Sequence, residues 1–343
     1  MGRFLIIISG IGTGGHYFPA VVVAREFAKS NYETIFLVRH GFPEEEIAKK
    51  YQLKTFAINP KPYYGKSFII KIMALLKVVQ SVLRLNTITK NCIGISFGGF
   101  GSLPLIISCM INRRPFYLFE PNRIPGRTTK LFSRRARKIF LGMPCGVEIK
   151  GNTMVTGIPV REEFKINRRI KSDRKTKTIL ISGGSQGAKK LNELAIKLQK
   201  ILPYDYSMII ISGKRDFAWV SREKDNRTEV IPFTTEPWKL IAEADIVISR
   251  AGALSGYELL IMQKPVLFVP FPYAVDNHQY YNALYFTQMP NVKMELEQNL
   301  NETLLFEKIM GLINANEIAR STTQQVITNA EKIIVKTVIT ESI

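Results

Sequence analysis

Along the whole chain, apolar runs of strand length alternate with segments of helix length, and four of these runs end in a glycine-bearing turn. Such an alternation points to parallel sheets covered by helices on both faces, because parallel strands can only be joined by crossovers. The strand candidates of the first half are Phe4 to Ser9, Thr34 to Arg39, Lys54 to Ile58, Cys92 to Ser96, Phe116 to Glu120 and Lys138 to Leu141. Those of the second are Thr178 to Ser182, Tyr206 to Ser212, Glu229 to Phe233, Ile246 to Arg250 and Pro265 to Pro270. A chain of 343 residues exceeds what one core usually supports, so two doubly wound α/β domains are expected. The segment Arg161 to Lys177 is polar, highly charged and lacks either hydrophobic period, and it reads as the linker between a domain of residues 1–160 and one of residues 161–343. Helical periodicity returns from Glu302 to Ile343, with the last helix expected to pack back on the first domain.

The net charge of +20 is lopsided: residues 1–160 hold 23 Lys+Arg against 7 Asp+Glu, whereas residues 161–343 hold 25 against 21. A basic first half suits nucleic acid, an anionic membrane face or a phosphorylated substrate. No RNA- or DNA-binding module accompanies the charge, so nucleic acid is not an expected partner. Cys92, Cys109 and Cys145 lack the spacing of a metal or redox pair and read as buried, reduced thiols. No run of eighteen apolar residues occurs, and Met1 to Ser9 is too short for a signal peptide, so a cytoplasmic location is expected.

The glycine turns carry the chemistry. Phe4 to Ser9 feeds Gly10-Ile11-Gly12-Thr13-Gly14-Gly15-His16, with a helix expected from Pro19 to Lys29, and Ser96-Phe97-Gly98-Gly99-Phe100-Gly101-Ser102 repeats the arrangement. Glycines allow close backbone approach to a ligand, and a helix start offers unpaired N–H groups and a partial positive charge. Gly183-Gly184-Ser185-Gln186-Gly187-Ala188 has the best phosphate logic, with the Ser185 and Gln186 amides expected at a helix N-terminus. Neither a GxxxxGK[ST] loop nor a dinucleotide fingerprint is present, which removes most support for an ATPase or a dehydrogenase. The segment Ala244 to Glu258, closed by Asp276-Asn277-His278-Gln279, puts a hydroxyl and a carboxylate just past a buried strand, as a nucleotide-sugar pocket would need. Glu258, expected early on its helix, suits two adjacent ribose hydroxyls, and Gln279 can both donate to and accept from a sugar. No Asp-x-Asp element exists and His16, His40 and His278 make no metal-ligand spacing, so leaving-group stabilisation without metal or cofactor is expected. His16 is the leading base, with a histidine that caps its own helix as the alternative; Glu120 is the second candidate, against a structural bond to the Pro121 to Gly126 turn.

Together these motifs resemble the MurG family, which moves N-acetylglucosamine from UDP onto lipid-linked muramyl-pentapeptide. The resemblance runs from Gly12-Thr13-Gly14-Gly15-His16 to Asp276-Asn277-His278-Gln279-Tyr280-Tyr281-Asn282-Ala283. It implies a GT-B architecture, two Rossmann-like domains facing a cleft, with the donor mainly in the second domain and lipid I in the first. It further implies UDP-N-acetylglucosamine contacts at Thr13, Gly14, Gly15, Asn122, Arg161, Ser185, Gln186, Thr234, Ala253, Leu254, Ser255, Glu258 and Gln279, and acceptor or diphosphate loops at Gly12, Gly98, Gly99 and Ser102. The chain departs from the family pattern at Ile11 and Ser96, where glycine is usual, at Phe100 in place of tyrosine, and at Pro121 within Glu120-Pro121-Asn122. Another GT-B enzyme with a different lipid acceptor, or a UDP-sugar epimerase, is the alternative.

Ser67 to Leu85 is almost wholly apolar but punctuated by Lys71, Lys77 and Arg84, unsuited to spanning a bilayer. At 100° per residue, Lys66, Lys77, Gln80, Ser81 and Arg84 share one side, opposite Phe68, Ile72, Leu75, Leu76, Val79, Val82 and Leu83, and Lys71 alone falls within the apolar arc. Such a helix, with Ile69 at its exposed start, can lie on an anionic cytoplasmic membrane face, or it can simply pack on its sheet.

Overall fold

The computed structural model describes residues 4–61, 68–166, 176–184, 187–318 and 326–342, and the chain divides into two compact units, Met1–Arg161 with Ile327–Ile343, and Glu162–Val326. Unit 1 is built on seven parallel strands: β1 (Leu5–Ser9), β2 (Thr34–Val38), β3 (Thr55–Ala57), β4 (Cys92–Ser96), β5 (Phe116–Glu120), β6 (Lys138–Leu141) and β7 (Thr153–Val155). They lie in the order β3-β2-β1-β4-β5-β6-β7. The helices of this unit are α1 (Gly14–Lys29), α2 (Pro43–Lys50), α3 (Phe68–Leu85), α4 (Leu103–Ile111) and α5 (Arg127–Phe132). Unit 2 begins with α6 (Glu162–Ile166) and carries β8 (Lys177–Ser182), α7 (Lys189–Leu198), β9 (Tyr206–Ile211), α8 (Phe217–Glu223), β10 (Thr228–Ile231), α9 (Pro237–Glu243), β11 (Ile246–Ser249), α10 (Ala253–Ile261), β12 (Val266–Phe268), α11 (His278–Phe286), β13 (Val292–Met294) and α12 (Glu302–Ile318). Its six parallel strands run β10-β9-β8-β11-β12-β13. The final helix, α13 (Ala330–Ser342), belongs to unit 1 and packs on α1.

Unbroken apolar runs such as Ile6-Ile7-Ile8 and Ile179-Leu180-Ile181 form central strands because both faces of each sheet are covered, and all six residues are buried. Strand order reverses between β1 and β4 in unit 1 and between β8 and β11 in unit 2, the switch points beyond whose C-terminal strand ends an open sheet takes its ligand. Registers coincide at the two places: Ser9 pairs with Ser96, and Ser182 with Ser249, so each switch point is floored by two serines.

Several expectations are corrected here. β7 and β13, edge strands of three residues, were not anticipated: a polar Asn152-Thr153 pair leaves β7 two apolar residues, and Lys293 interrupts β13. Helix α1 begins at Gly14, five residues before the expected start at Pro19, so the His16 backbone is helical. The presumed linker starts as α6, whose Phe164 is fully buried with its ring 5.6 Å from that of Trp238, an anchor hidden among charged neighbours. All three cysteines are free, but only Cys92 and Cys109 are buried as expected, Cys145 being half-buried; Cys92 and Cys109 approach to 4.0 Å across β4 and α4, a pairing that their spacing did not suggest.

Candidate active site

At the switch point of unit 1, Thr13 is the extended residue before α1, and Gly14 and Gly15 form the first turn with His16. The Phe97 carbonyl lies 2.7 Å from His16 Nδ1. A carbonyl only accepts, so Nδ1 carries the proton and Nε2 holds the lone pair of the neutral ring. The ring is enclosed by glycines: a Cβ on Gly12 would lie 2.7 Å from His16 Cδ2, and one on Gly98 would lie 3.5 Å from Nδ1. Gly98 and Gly99 have φ of 82° and 74°, a left-handed pair that glycine adopts without strain.

The loops are fastened from behind. Ser102 is fully buried and donates its hydroxyl to the Gly98 carbonyl at 2.8 Å, so within the expected acceptor loop it shapes the backbone. Ser96 Oγ accepts from Gly98 N at 3.2 Å, and Thr128 donates to the Gly99 carbonyl at 3.2 Å. Ile11 is accommodated by Gly101, where any Cβ would approach Ile11 Cγ2 to 2.2 Å.

Glu120 ends β5 with both carboxylate oxygens engaged. Oε1 accepts from Asn122 N and Nδ2 at 3.1 and 3.3 Å, and Oε2 from Gly126 N and Thr129 Oγ1 at 2.8 and 2.7 Å. Four donors from residues 122 to 129 converge on the two oxygens, so the geometry is that of a staple of the Pro121 to Gly126 turn. Arg161 belongs to unit 1, is 6% exposed, and sits with its guanidinium 4.0 Å from the centre of the Phe18 ring. Burial pushes the neighbouring Tyr17 phenol above its ordinary pKa, with Arg161 opposing.

At the switch point of unit 2, Gly183 and Gly187 are needed sterically: a Cβ would lie 2.3 Å from Ala188 N and 2.4 Å from the Ser212 carbonyl, respectively. Gly187 N donates to the Gly184 carbonyl at 3.0 Å. Helix α7 starts only at Lys189. Ser185 and Gln186, expected at a helix N-terminus, lie outside the described residues, and the helix begins three residues after Gln186.

Gly252 opens α10, where Ala253 and Leu254 are buried and the Ser255 hydroxyl donates to the Gly252 carbonyl at 3.3 Å. Glu258 is 6% exposed and stands sixth in the helix, a turn and a half from its start rather than early in it. Asp276 and Asn277 have φ of 52° and 50°, a left-handed pair immediately before α11. Gln279 follows, its Oε1 accepting from Phe271 N at 3.0 Å, which leaves the amide NH₂ as the end turned to a partner. Asn282 is fully buried and donates to the Ala251 carbonyl at 3.2 Å, tying α11 to the turn before α10. Thr234 Oγ1 accepts from Glu236 N at 3.0 Å and serves the turn into α9.

Sequence reasoning missed the supporting residues Ser9, Thr128, Thr129, Arg250 and Asn282. The one available signal was the serine that closes each central apolar run at 9, 96, 182 and 249.

Helix α3 presents Leu75, Leu76 and Leu83 at 63%, 63% and 68% exposure, with Ile72 and Val79 on the same stripe. Ala74, Val78, Ser81, Val82 and Leu85 face inward, so Ser81, expected on the polar side, is buried, and the expected apolar arc is divided between buried Val82 and the exposed stripe. Ser81 is accommodated because its hydroxyl donates to the Lys77 carbonyl at 2.7 Å. The side chains of Phe68 and Ile69 lie outside the described residues. Among the described residues no helix is long and apolar enough to cross a membrane.

Two Rossmann-like domains, each with its glycine turns at the switch point, define the GT-B class of nucleotide-sugar glycosyltransferases, and comparison with known proteins agrees. The Glycosyltransferase family 28 N-terminal domain matches residues 6–141, and the Glycosyltransferase family 28 C-terminal domain matches residues 178–338. The UDP-N-acetylglucosamine--N-acetylmuramyl-(pentapeptide) pyrophosphoryl-undecaprenol N-acetylglucosamine transferase of Aquifex aeolicus is 32% identical over 287 residues, covering 81% of this chain and 83% of that protein. Among solved structures, Acinetobacter baumannii MurG superposes with a TM-score of 0.77 at 24% identity, over 99% of this chain and 100% of the other. A UDP-GlcNAc 2-epimerase from Neisseria meningitidis, bound to UDP-GlcNAc, shares the fold at a TM-score of 0.67 and 15% identity, over 99% of this chain and 100% of that one. The chain belongs to glycosyltransferase family 28, as a member of the MurG family.

Proposed function

We infer that this chain transfers N-acetylglucosamine from UDP-N-acetylglucosamine to the C4 hydroxyl of the muramyl unit of undecaprenyl-pyrophosphoryl-N-acetylmuramyl-pentapeptide, with inversion. The observation that carries the reading is the near full-length likeness to transferases of that specificity. The buried Glu258 and the oriented Gln279 amide agree with it. In unit 2, Glu258 accepts from the ribose hydroxyls and the NH₂ of Gln279 donates to the sugar, while the turn from Gly183 to Ala188 receives the diphosphate. In unit 1, His16 Nε2 takes the proton of the attacking hydroxyl as its oxygen bonds to C1 of the sugar and the bond from C1 to UDP breaks. The Phe97 carbonyl, accepting from Nδ1–H, stabilises the imidazolium that forms. Fixed dipoles and cations, without a metal, stabilise the departing UDP. The epimerase alternative shares the fold but requires no acceptor.

The exposed stripe of α3 seats unit 1 on the cytoplasmic face of the membrane that carries the acceptor, Lys77 and Arg84 meeting anionic headgroups. The deciding experiment incubates the purified protein with labelled UDP-N-acetylglucosamine and the lipid acceptor, with and without chelator. Label in the lipid fraction under both conditions is expected. Unlabelled lipid together with released N-acetylmannosamine would favour the epimerase, and label lost with chelator would overturn the metal-free scheme.

A further inference from the structure

The Ser249-Arg250-Ala251-Gly252 segment carries a cation for which the chemistry above has no use. Arg250 follows β11 directly and its side chain is 9% exposed. Nη1 donates to the Val269 and Pro270 carbonyls at 3.1 and 3.3 Å, just beyond β12, and Nη2 donates to the Glu297 carboxylate. The guanidinium carbon lies 5.5 Å from the centre of the Phe271 ring. Phe271 in turn gives its N–H to Gln279 Oε1 at 3.0 Å. Residues 269–271 are therefore gripped by Arg250 on one side and grip Gln279 on the other.

A buried ion pair contributes little net stability compared with an apolar pair of the same size, so geometry is the better account of an arginine here. Its rigid fork serves two carbonyls and a carboxylate at once, an arrangement that the single point charge of lysine does not reproduce. We propose that Arg250 is a positioning residue for the sugar of the donor: by fixing the Phe271 N–H it holds the Gln279 carbonyl, and thereby aims the Gln279 NH₂ at the sugar hydroxyls. The proposal rests on Gln279 as the sugar contact.

The test measures the affinities of UDP-N-acetylglucosamine and UDP by calorimetry for the full chain, Arg250→Lys, Gln279→Ala and the double variant, together with KM and kcat. Arg250→Lys weakens UDP-N-acetylglucosamine about tenfold and leaves UDP within about twofold, as the loss of one oriented hydrogen bond would. In the Gln279→Ala background it adds nothing further. Glu297→Gln, which leaves the arginine in place but loosens one end of its fork, moves the same ratio in the same direction and keeps the question open to test if Arg250→Lys does not fold. Equal losses for both ligands, or additive losses in the double variant, would overturn the proposal. If Gln279→Ala alone leaves the ratio of the two affinities unchanged, the reading of Gln279 itself is wrong, and the role of Arg250 falls with it.

Discussion

Replacing Glu120 by glutamine decides between a base and a staple. The carboxylate receives Asn122 N and Nδ2 on one oxygen, and Gly126 N and Thr129 Oγ1 on the other. A glutamine must turn its NH₂ towards one pair. The Thr129 hydroxyl can rotate to accept, but the Gly126 N–H cannot, so the better orientation still strands one backbone donor and removes the negative charge from the remaining bonds. A stranded donor costs about 1–3 kcal/mol and the lost charge assistance about 1 kcal/mol more, giving about 3 kcal/mol. For a unit of this size that is about 6–12 °C in melting temperature. Thermal unfolding by circular dichroism, run beside turnover at saturating donor, supplies the answer. A melting point within about 2 °C of the parent, together with a fall in kcat of about 100-fold or more, would refute the staple and make Glu120 the base.

His16→Ala lowers kcat by about 10² to 10⁴ with UDP-N-acetylglucosamine affinity retained, and near-normal turnover excludes it as the base. Leu75→Asp with Leu76→Asp abolishes flotation with anionic vesicles at low salt while donor binding persists; undiminished flotation would move the membrane contact elsewhere. The hydrogen bond from Arg215 holds the Asp216 carboxyl below its usual pKa, against the opposing effect of burial, and Asn192 adds a further donor. Because the folded value lies below the unfolded one, the stabilisation is complete above about pH 4 and is lost as pH falls through the folded value. Urea titrations of Asp216→Asn should accordingly show a flatter acid limb than the parent, and an unchanged limb would contradict this account.

The central strands were legible because burial on both faces makes each of them a continuous apolar run, and Cys92–Ser96, Phe116–Glu120 and Lys138–Leu141 match residue for residue. β7 and β13 were not legible, whereas the equally short edge strand β3 was: Phe56, Ala57 and Ile58 continue one apolar run, while Lys293 interrupts β13 and the polar Asn152-Thr153 pair leaves β7 only two apolar residues. Glycine turns pointed to the switch points of the two sheets but not to the polar side chains that support them. Ser102 and Thr234 have the residue type of a ligand contact, and each also bonds within its own loop, because a hydroxyl near a turn finds a backbone group close by. The staple at Glu120 depends on donors up to nine residues away folding back onto one carboxylate, a closure that no local pattern encodes.

The left-handed pair Asp276 and Asn277 limits what a library can explore beside Gln279. Side chains branched at Cβ are excluded from that backbone by about 1–2 kcal/mol each, whereas glycine, asparagine and aspartate enter it with little strain. Randomising both codons should therefore return a narrow alphabet in which glycine is the informative survivor. Glycine accepts the bend while loosening it, and variants carrying it would report how stiff the approach to the donor sugar has to be.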